Sequence, residues 1–183
     1  MKVTRTALDG VLIIEPIVHG DPRGFFLESF NVARYASQAG IAGSFVQDNH
    51  SRSGRNVLRG LHLQVEQPQG KLVNVSRGEI WDVVVDIDPQ SPTFKQHVSV
   101  RLSDDNHKQI YAPPGYAHGF CVLSEVADVQ YKCTDYYRAD DEAGIAWNDT
   151  QLAIPWPIDA PVLSGRDSGN AALETFLRSR GKA

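Results

Sequence analysis

The sequence predicts an all-β domain, a sandwich or barrel of short strands. Segments rich in valine, isoleucine and tyrosine ("KLVNVSRG", "EIWDVVVDI", "QHVSVRL", "QIYAPPG", "GFCVLSE" and "VADVQYKCTDYY") follow one another between residues 71 and 137 with little room for helices. The joints "DPQSPT" and "PPGY" are made of proline and glycine, which punctuate strands with turns. The 183 residues suit one large domain, and no internal repeat, low-complexity tract or linker divides them, so a single domain over 1–183 is expected. A chain of this length buries roughly 70% of its unfolded surface, enough for an ordinary core without disulfides or metals.

The elements follow in order. Lys2 and Arg5 precede only "VLII", too short an apolar run for a signal-peptide core or a membrane span. A soluble protein of a reducing compartment, the cytoplasm, is expected. "NVARYASQAG" (31–40) reads as a short helix with Asn31 as N-cap and Gly40 beyond its end. "NVLRGLHLQ" (56–64) reads as a strand whose alternation sets Leu58, Gly60, His62 and Gln64 on one face and Val57, Arg59, Leu61 and Leu63 on the other. The second face is aliphatic apart from Arg59, which fits only if a bulge at Gly60 re-aims it. Cys121 and Cys133 lie in strand-like contexts and are expected as half-buried thiols rather than a disulfide. "NAALETFLRSR" (170–180) puts Leu173, Phe176 and Leu177 on one face of a small terminal helix packed on the sandwich.

The charge balance, 18 basic against 22 acidic side chains with a net of −4, argues against a broad nucleic-acid-binding face and leaves room for a local basic pocket. Antiparallel β domains of this size commonly form jelly rolls, among them the cupins, whose inner sheet opens on a ligand cavity. Polar residues on a strand's inward face mark such a cavity, or else a sheet face that is simply wet. "APPGYAHGF" holds Pro114, Gly115 and His118 in the P-x-G-x-x-H order of a second cupin motif. Where metal-binding cupins carry His-x-His and then Glu, this chain reads His62-Leu63-Gln64. Two imidazoles without a suitably placed carboxylate make a poor divalent-metal site, so no metal is expected.

The ordered segments "GDPRGFFLESF", "FVQDNHS", "NVLRGLHLQ", "QGKLV", "SPTF", "PPGYAHGF", "VQYKCTDYY", "IAWND" and "LSGRD" resemble the dTDP-4-dehydrorhamnose 3,5-epimerases, from about residue 20 to 167. The resemblance implies a cupin-type jelly roll with short peripheral helices. It also implies inversion of a 4-keto-6-deoxy sugar, carried on thymidine diphosphate, at carbons 3 and 5 without metal or organic cofactor. That chemistry needs a base beside the ketone, a cation for the enolate oxygen and an acid on the opposite ring face. The resemblance assigns these roles to His62 as base, oriented by Asp167, to Lys71 as cation and to Tyr131 as acid. From the residues alone, Asp167 reads as a helix-capping residue, Lys71 as a solvated lysine at a strand start and Tyr131 as a half-buried strand tyrosine.

Substrate binding is assigned by resemblance to Arg23, Glu28, Gln47, Asn49, Arg59, His118 and Glu142, with the Tyr137 ring stacking on base or sugar. Arginine forks suit the diphosphate. The family often has lysine before the final aspartate, where this chain has Arg166, so a nucleotide contact there keeps its charge but changes its geometry. The family forms homodimers with strands exchanged between subunits, and Arg23 and Glu28 then serve either their own or the neighbouring site. Alternative readings are a 3- or 5-mono-epimerase or ketoisomerase of a related dTDP-sugar pathway, a metal-dependent oxygenase, and a non-catalytic sugar-binding cupin. A pure binder needs no acid–base pair, which disfavours the last.

Overall fold

The computed structural model describes residues 1–181. Its elements are β1 (Lys2–Arg5), β2 (Leu12–Glu15), β3 (Val18–Asp21), β4 (Gly24–Leu27), α1 (Val32–Ala39), β5 (Gln47–Gly54), β6 (Leu58–Gln64), β7 (Lys71–Arg77), β8 (Glu79–Val85), β9 (His97–Ser103), β10 (Gln109–Ala112), β11 (Ala117–Val122), β12 (Val126–Cys133), β13 (Glu142–Gly144), α2 (Gly165–Ser168) and α3 (Leu173–Ser179). A six-stranded sheet runs β1-β2-β10-β7-β12-β5 and a five-stranded sheet runs β13-β6-β11-β8-β9, while among the described residues β3 and β4 pair only with each other. The crossed order of these antiparallel sheets is the jelly roll expected of a cupin. No helix among the described residues is long and apolar enough to cross a membrane.

Alternation along the strands decides what fills the space between the sheets. Val73, Val75, Ile110, Ala127 and Val129 of the larger sheet meet Ile80, Val84, Leu102, Phe120 and Val122 of the smaller one in a shared core. The outward face of the smaller sheet is apolar too, and Leu61, Leu63, Val83, Val85 and Ala117 are covered by Leu173, Phe176 and Leu177 of α3. Each such buried side chain contributes about 1.5–3 kcal/mol relative to exposure, which holds the C-terminal segment against β6. Leu12, Ile14 and Leu72 of the larger sheet are covered by Tyr35 of α1 and by Ile41.

Helix α1 has the expected caps: the Asn31 side chain accepts from Arg34 N–H, and Gly40 takes a left-handed conformation with φ 71°. Both cysteines are more deeply buried than expected, Cys121 at 0% and Cys133 at 1% exposure. Each lies in a strand of an interior ladder, and burial pushes the Cys121 thiol up to about 12.

Strand β6 departs from simple alternation. His62 stands opposite His118 and Arg59 opposite Phe120, so three steps along β6 match two along β11. The extra residue sits at Gly60, whose φ is 134° and where an added Cβ would lie 2.6 Å from Gly119 Cα. No side chain fits that crossing. The bulge turns Arg59 to the same side as His62 and Gln64, while Leu61 and Leu63 keep to the apolar outer face.

Candidate active site

Beyond the shared core the two sheets part around a cavity of about 370 Å³. His62, Arg59 and Gln64 of β6 and His118 of β11 line one wall, while Lys71 of β7, Tyr131 of β12 and Gln47 and Asn49 of β5 line the other. Tyr137 and Glu142 complete its lining. Of the residues expected at the site, these nine besides Gln64 converge on one space from separate stretches of chain.

Asp167 reaches His62 from behind the cavity. Ser164 caps the one-turn helix α2 by accepting from Asp167 N–H at 3.0 Å, and its hydroxyl donates to Asp167 Oδ2 at 3.0 Å. The capping role belongs to Ser164, which frees the Asp167 carboxylate to accept a 2.5 Å hydrogen bond from His62 Nε2–H. Because an ionised carboxylate only accepts, this bond fixes the proton on Nε2 and leaves Nδ1 as the basic nitrogen. Burial lowers the His62 pKa below its ordinary value, with Asp167 acting in the opposite sense. The imidazole is therefore neutral and able to accept a proton near pH 7.

The facing wall carries the other two groups of interest. Burial pushes the Lys71 ammonium's pKa down, and Cys133, Glu142 and Asp82 work against that shift. Among the described residues no carboxylate lies within ion-pair distance of Lys71, unlike Lys2 or Lys132. Burial raises the pKa of Tyr131, so its hydroxyl keeps its proton. At the mouth, the Tyr137 hydroxyl donates to Glu142 Oε2 at 2.5 Å, and the Arg166 guanidinium pairs with the same oxygen. Burial would raise the Glu142 pKa, but Tyr137 and Arg166 outweigh it and hold the carboxyl below its ordinary range. Arg166 thus stands beside the site with its charge engaged by Glu142.

Arg23 and Glu28 are not brought into this cavity. Arg23 lies in the β3–β4 turn, its side chain 89% exposed and paired with Asp21. Glu28 pairs with Arg34 at 3.4 Å and accepts from Asn31 Nδ2.

Three site residues carry no motif of their own. Asp82, completely buried, lies within 2.9 and 3.0 Å of His118 Nε2 through its two oxygens. The alternation Ile80-Asp82-Val84 within "EIWDVVVDI" was the available signal, since it sets a carboxylate on the inward face. Cys133 receives Asn49 Nδ2–H at 3.5 Å. Ser51 lines the cavity, and its buried hydroxyl has no hydrogen-bond partner among the described residues. The same residues contain no group of three or more His, Cys, Asp or Glu arranged to hold a metal ion.

Comparison with known proteins identifies the family. The family model described as dTDP-4-dehydrorhamnose 3,5-epimerase matches residues 5–175. A protein of that name from Pseudomonas aeruginosa is 54% identical over 94% of this chain and 96% of its own length. Another from Escherichia coli is 50% identical over 97% of each chain. The crystal structure of a dTDP-6-deoxy-D-glucose-3,5-epimerase from Legionella pneumophila, in complex with dTDP-4-keto-L-rhamnose, superposes with a TM-score of 0.92 at 52% identity over 94% of this chain and 93% of that one. With the family model spanning residues 5–175 and these relatives matching nearly the whole chain, the chain belongs to the dTDP-4-dehydrorhamnose 3,5-epimerase family.

Proposed function

We infer that the chain converts dTDP-4-dehydro-6-deoxy-D-glucose to dTDP-4-dehydro-L-rhamnose, inverting carbons 3 and 5 in turn. Both carbons flank the C4 ketone, so their protons are the acidic ones. His62 Nδ1 takes the proton from carbon, and the electron pair left behind moves through the new C=C bond onto the C4 oxygen. The Lys71 ammonium faces that oxyanion, where charge appears in the transition state. The Tyr131 hydroxyl then gives its proton to the opposite face of the same carbon while the C=O re-forms. Solvent returns the base and the acid to their starting states.

What supports these roles most directly is the position of His62 and Tyr131 on facing sheets, since inversion needs two proton handlers on opposite sides of one ring. Arg59, His118, Gln47, Asn49 and Glu142 bind substrate around them, and the Tyr137 ring takes the nucleotide end. No metal or organic cofactor has a part in these steps. Core clusters drawing on residues from Leu8 to Leu177 support reading the chain as one domain.

The protein acts as a homodimer in this reading. The β3–β4 hairpin leaves Phe25 and Phe26 61% and 69% exposed and carries Arg23 at its turn, features suited to insertion against a second copy. Arg23 and Glu28 then contribute to the neighbouring site.

Proton NMR of the reaction in heavy water tests the roles. The parent enzyme should yield product deuterated and inverted at both carbons. Tyr131→Phe should still wash deuterium into recovered substrate, returned by His62 to the face it left, while forming little epimer. His62→Asn should do neither, each loss being about 10²–10⁴-fold in inversion. Inversion at the parent rate by Tyr131→Phe would take the acid's role away from that residue.

A further inference from the structure

Residues 134–138, which carry Tyr137 to the cavity mouth, lie between β12 and β13 and have no strand partner among the described residues. Their backbone is held by glutamine side chains at each of four consecutive residues. Gln69 Nε2 donates to Asp135 O at 2.7 Å, and Gln64 Nε2 donates to Tyr136 O at 3.3 Å. Tyr137 N–H donates to Gln47 Oε1 at 2.8 Å, and Arg138 N–H donates to Gln64 Oε1 at 2.7 Å. The three glutamines come from the start of β5, the end of β6 and the residues just before β7. Gln64 is 4% exposed and also donates to Gln67 O at 2.9 Å, so both ends of its amide are engaged.

The residue chemistry suits this task. A primary amide offers donor and acceptor together, so one side chain can hold an N–H and a C=O of the same loop. It does so without adding a charge beside the neutral His62 and the charged Lys71 and Glu142. Tyr137 is then fixed at both ends, its N–H on Gln47 and its hydroxyl on Glu142, yet the residue is 50% exposed. An aromatic ring held still with an open face is a surface for stacking a planar group, and restraining it beforehand removes part of the entropy lost on binding.

We propose that Gln64 and Gln69 are positioning residues for nucleotide binding, which with Gln47 hold residues 135–138 so that the Tyr137 ring faces the thymine of the substrate. Gln64 stands where a metal-binding cupin carries its second imidazole, and in this chain the position serves the loop instead. The proposal rests on the functional reading above, because it takes the occupant of the mouth to be a thymidine nucleotide.

The loop has independent anchors, so the glutamines can be changed without releasing it. Gly70 N–H donates to Thr134 Oγ1 at 2.7 Å and Thr134 N–H donates back to Gly70 O at 3.0 Å. Asp141 accepts from the N–H groups of Val65, Glu66 and Gln67 at 2.8–3.1 Å.

The test is a double-mutant cycle read by calorimetric binding of dTDP and by KM and kcat. Gln64→Met should weaken dTDP binding and raise KM about tenfold, with a smaller fall in kcat, and Gln69→Met should act in the same direction by about threefold. In a Tyr137→Ala background, either substitution should change dTDP affinity by less than about twofold, because the ring it positions is gone. Additive effects in the two backgrounds, or parent affinity in Gln64→Met and Gln69→Met, would overturn the proposal. Should Gln64→Met not fold, as judged by its thermal transition, the half-buried Gln69 carries the same cycle alone. Failure of the parent protein to bind dTDP would instead remove the functional reading, and the positioning role with it.

Discussion

Two imidazole–carboxylate pairs stand side by side in this cavity, and they are built in opposite ways. His62 and His118 face each other across the β6–β11 ladder, and each engages an aspartate through Nε2. The partner of His118 is local: Asp82 lies on β8, the next strand of the same sheet, and is 0% exposed. The partner of His62 is remote: Asp167 comes 105 residues later in the chain, on a single helical turn held by Ser164. The His62 side chain is 24% exposed against 9% for His118. One pair is locked into the sheet, with both carboxylate oxygens on a single nitrogen. The other has one nitrogen fixed from behind and its ring open to the cavity. The same two residue types therefore supply a structural wall in one place and, in the proposed mechanism, a base with a defined tautomer in the other.

The largest difference between the pairs should appear in catalysis. Asp167→Ala removes the group that orients His62 and stabilises its cationic form, so kcat should fall by about 10²-fold or more. Affinity for dTDP should stay within about twofold, because the lost interaction matters mainly in the transition state. The pH profile gives an independent sign. Burial already holds the His62 pKa below its ordinary value, and Asp167 opposes that shift. Without Asp167 the pKa falls further, and the acid limb of kcat moves to lower pH. The variant is then slow even though more of its imidazole is neutral at any given acidic pH. Lost dTDP affinity with parent kcat would make Asp167 a binding residue.

A smaller effect, of the opposite kind, is expected at the other pair. Asp82→Ala leaves the His118 N–H without an acceptor in a closed interior, at a cost of about 1–3 kcal/mol. For a chain of this length each kcal/mol lowers Tm by roughly 2–4 °C. Asp167→Ala should cost less, because the freed His62 Nε2–H belongs to a more exposed ring. Paired thermal or urea unfolding of the two variants checks the order. If Asp167→Ala proves the more destabilising, the contrast between a locked wall and an open base fails.

The contrast also explains what could be read from the sequence. His62 and His118 were visible because cupin motifs are local: each histidine sits at a fixed offset from turn residues in its own strand. The helix at 31–40 was visible for the same reason, since its Asn and Gly caps bracket it. Arg59 needed the bulge at Gly60, and a glycine in a strand announces the possibility of a bulge but not its direction. Asp167 has no such local sign, because its meaning comes from a contact made across 105 residues, and by itself it resembles a cap. Asp82 was hidden inside an apolar run whose composition spoke only for a buried strand. The loop contacts of Gln47, Gln64 and Gln69 left no sign either, since a side-chain amide bonded to a distant backbone constrains no neighbouring residue. The β3–β4 hairpin leaves no such sign either, its strands having no partner outside the pair among the described residues.

The smallest expected effect is none, and it bears on both pairs together. Neighbouring imidazoles on facing strands are the start of a metal site in other cupins, so the closeness of His62 and His118 invites the question of chelation. Each has its Nε2 engaged by its own aspartate. With Nε2 held there, each ring can offer an ion only Nδ1, so two imidazole nitrogens are the most that this pair of histidines supplies. Gln64, in the place of the second imidazole, holds Gln67, Tyr136 and Arg138 through its amide, and the amide of Gln69, also on the cavity lining, holds Asp135. A neutral amide is a weak ligand for a transition metal, and these amides are already committed. Exhaustive dialysis against a chelator should therefore leave kcat and KM at their parent values, with elemental analysis giving far less than one metal per chain. Stoichiometric iron, manganese or zinc, with activity lost on its removal and restored on its return, would mean that the histidines serve a metal through Nδ1 in the working enzyme, and the reading of His62 as a free base would have to be abandoned.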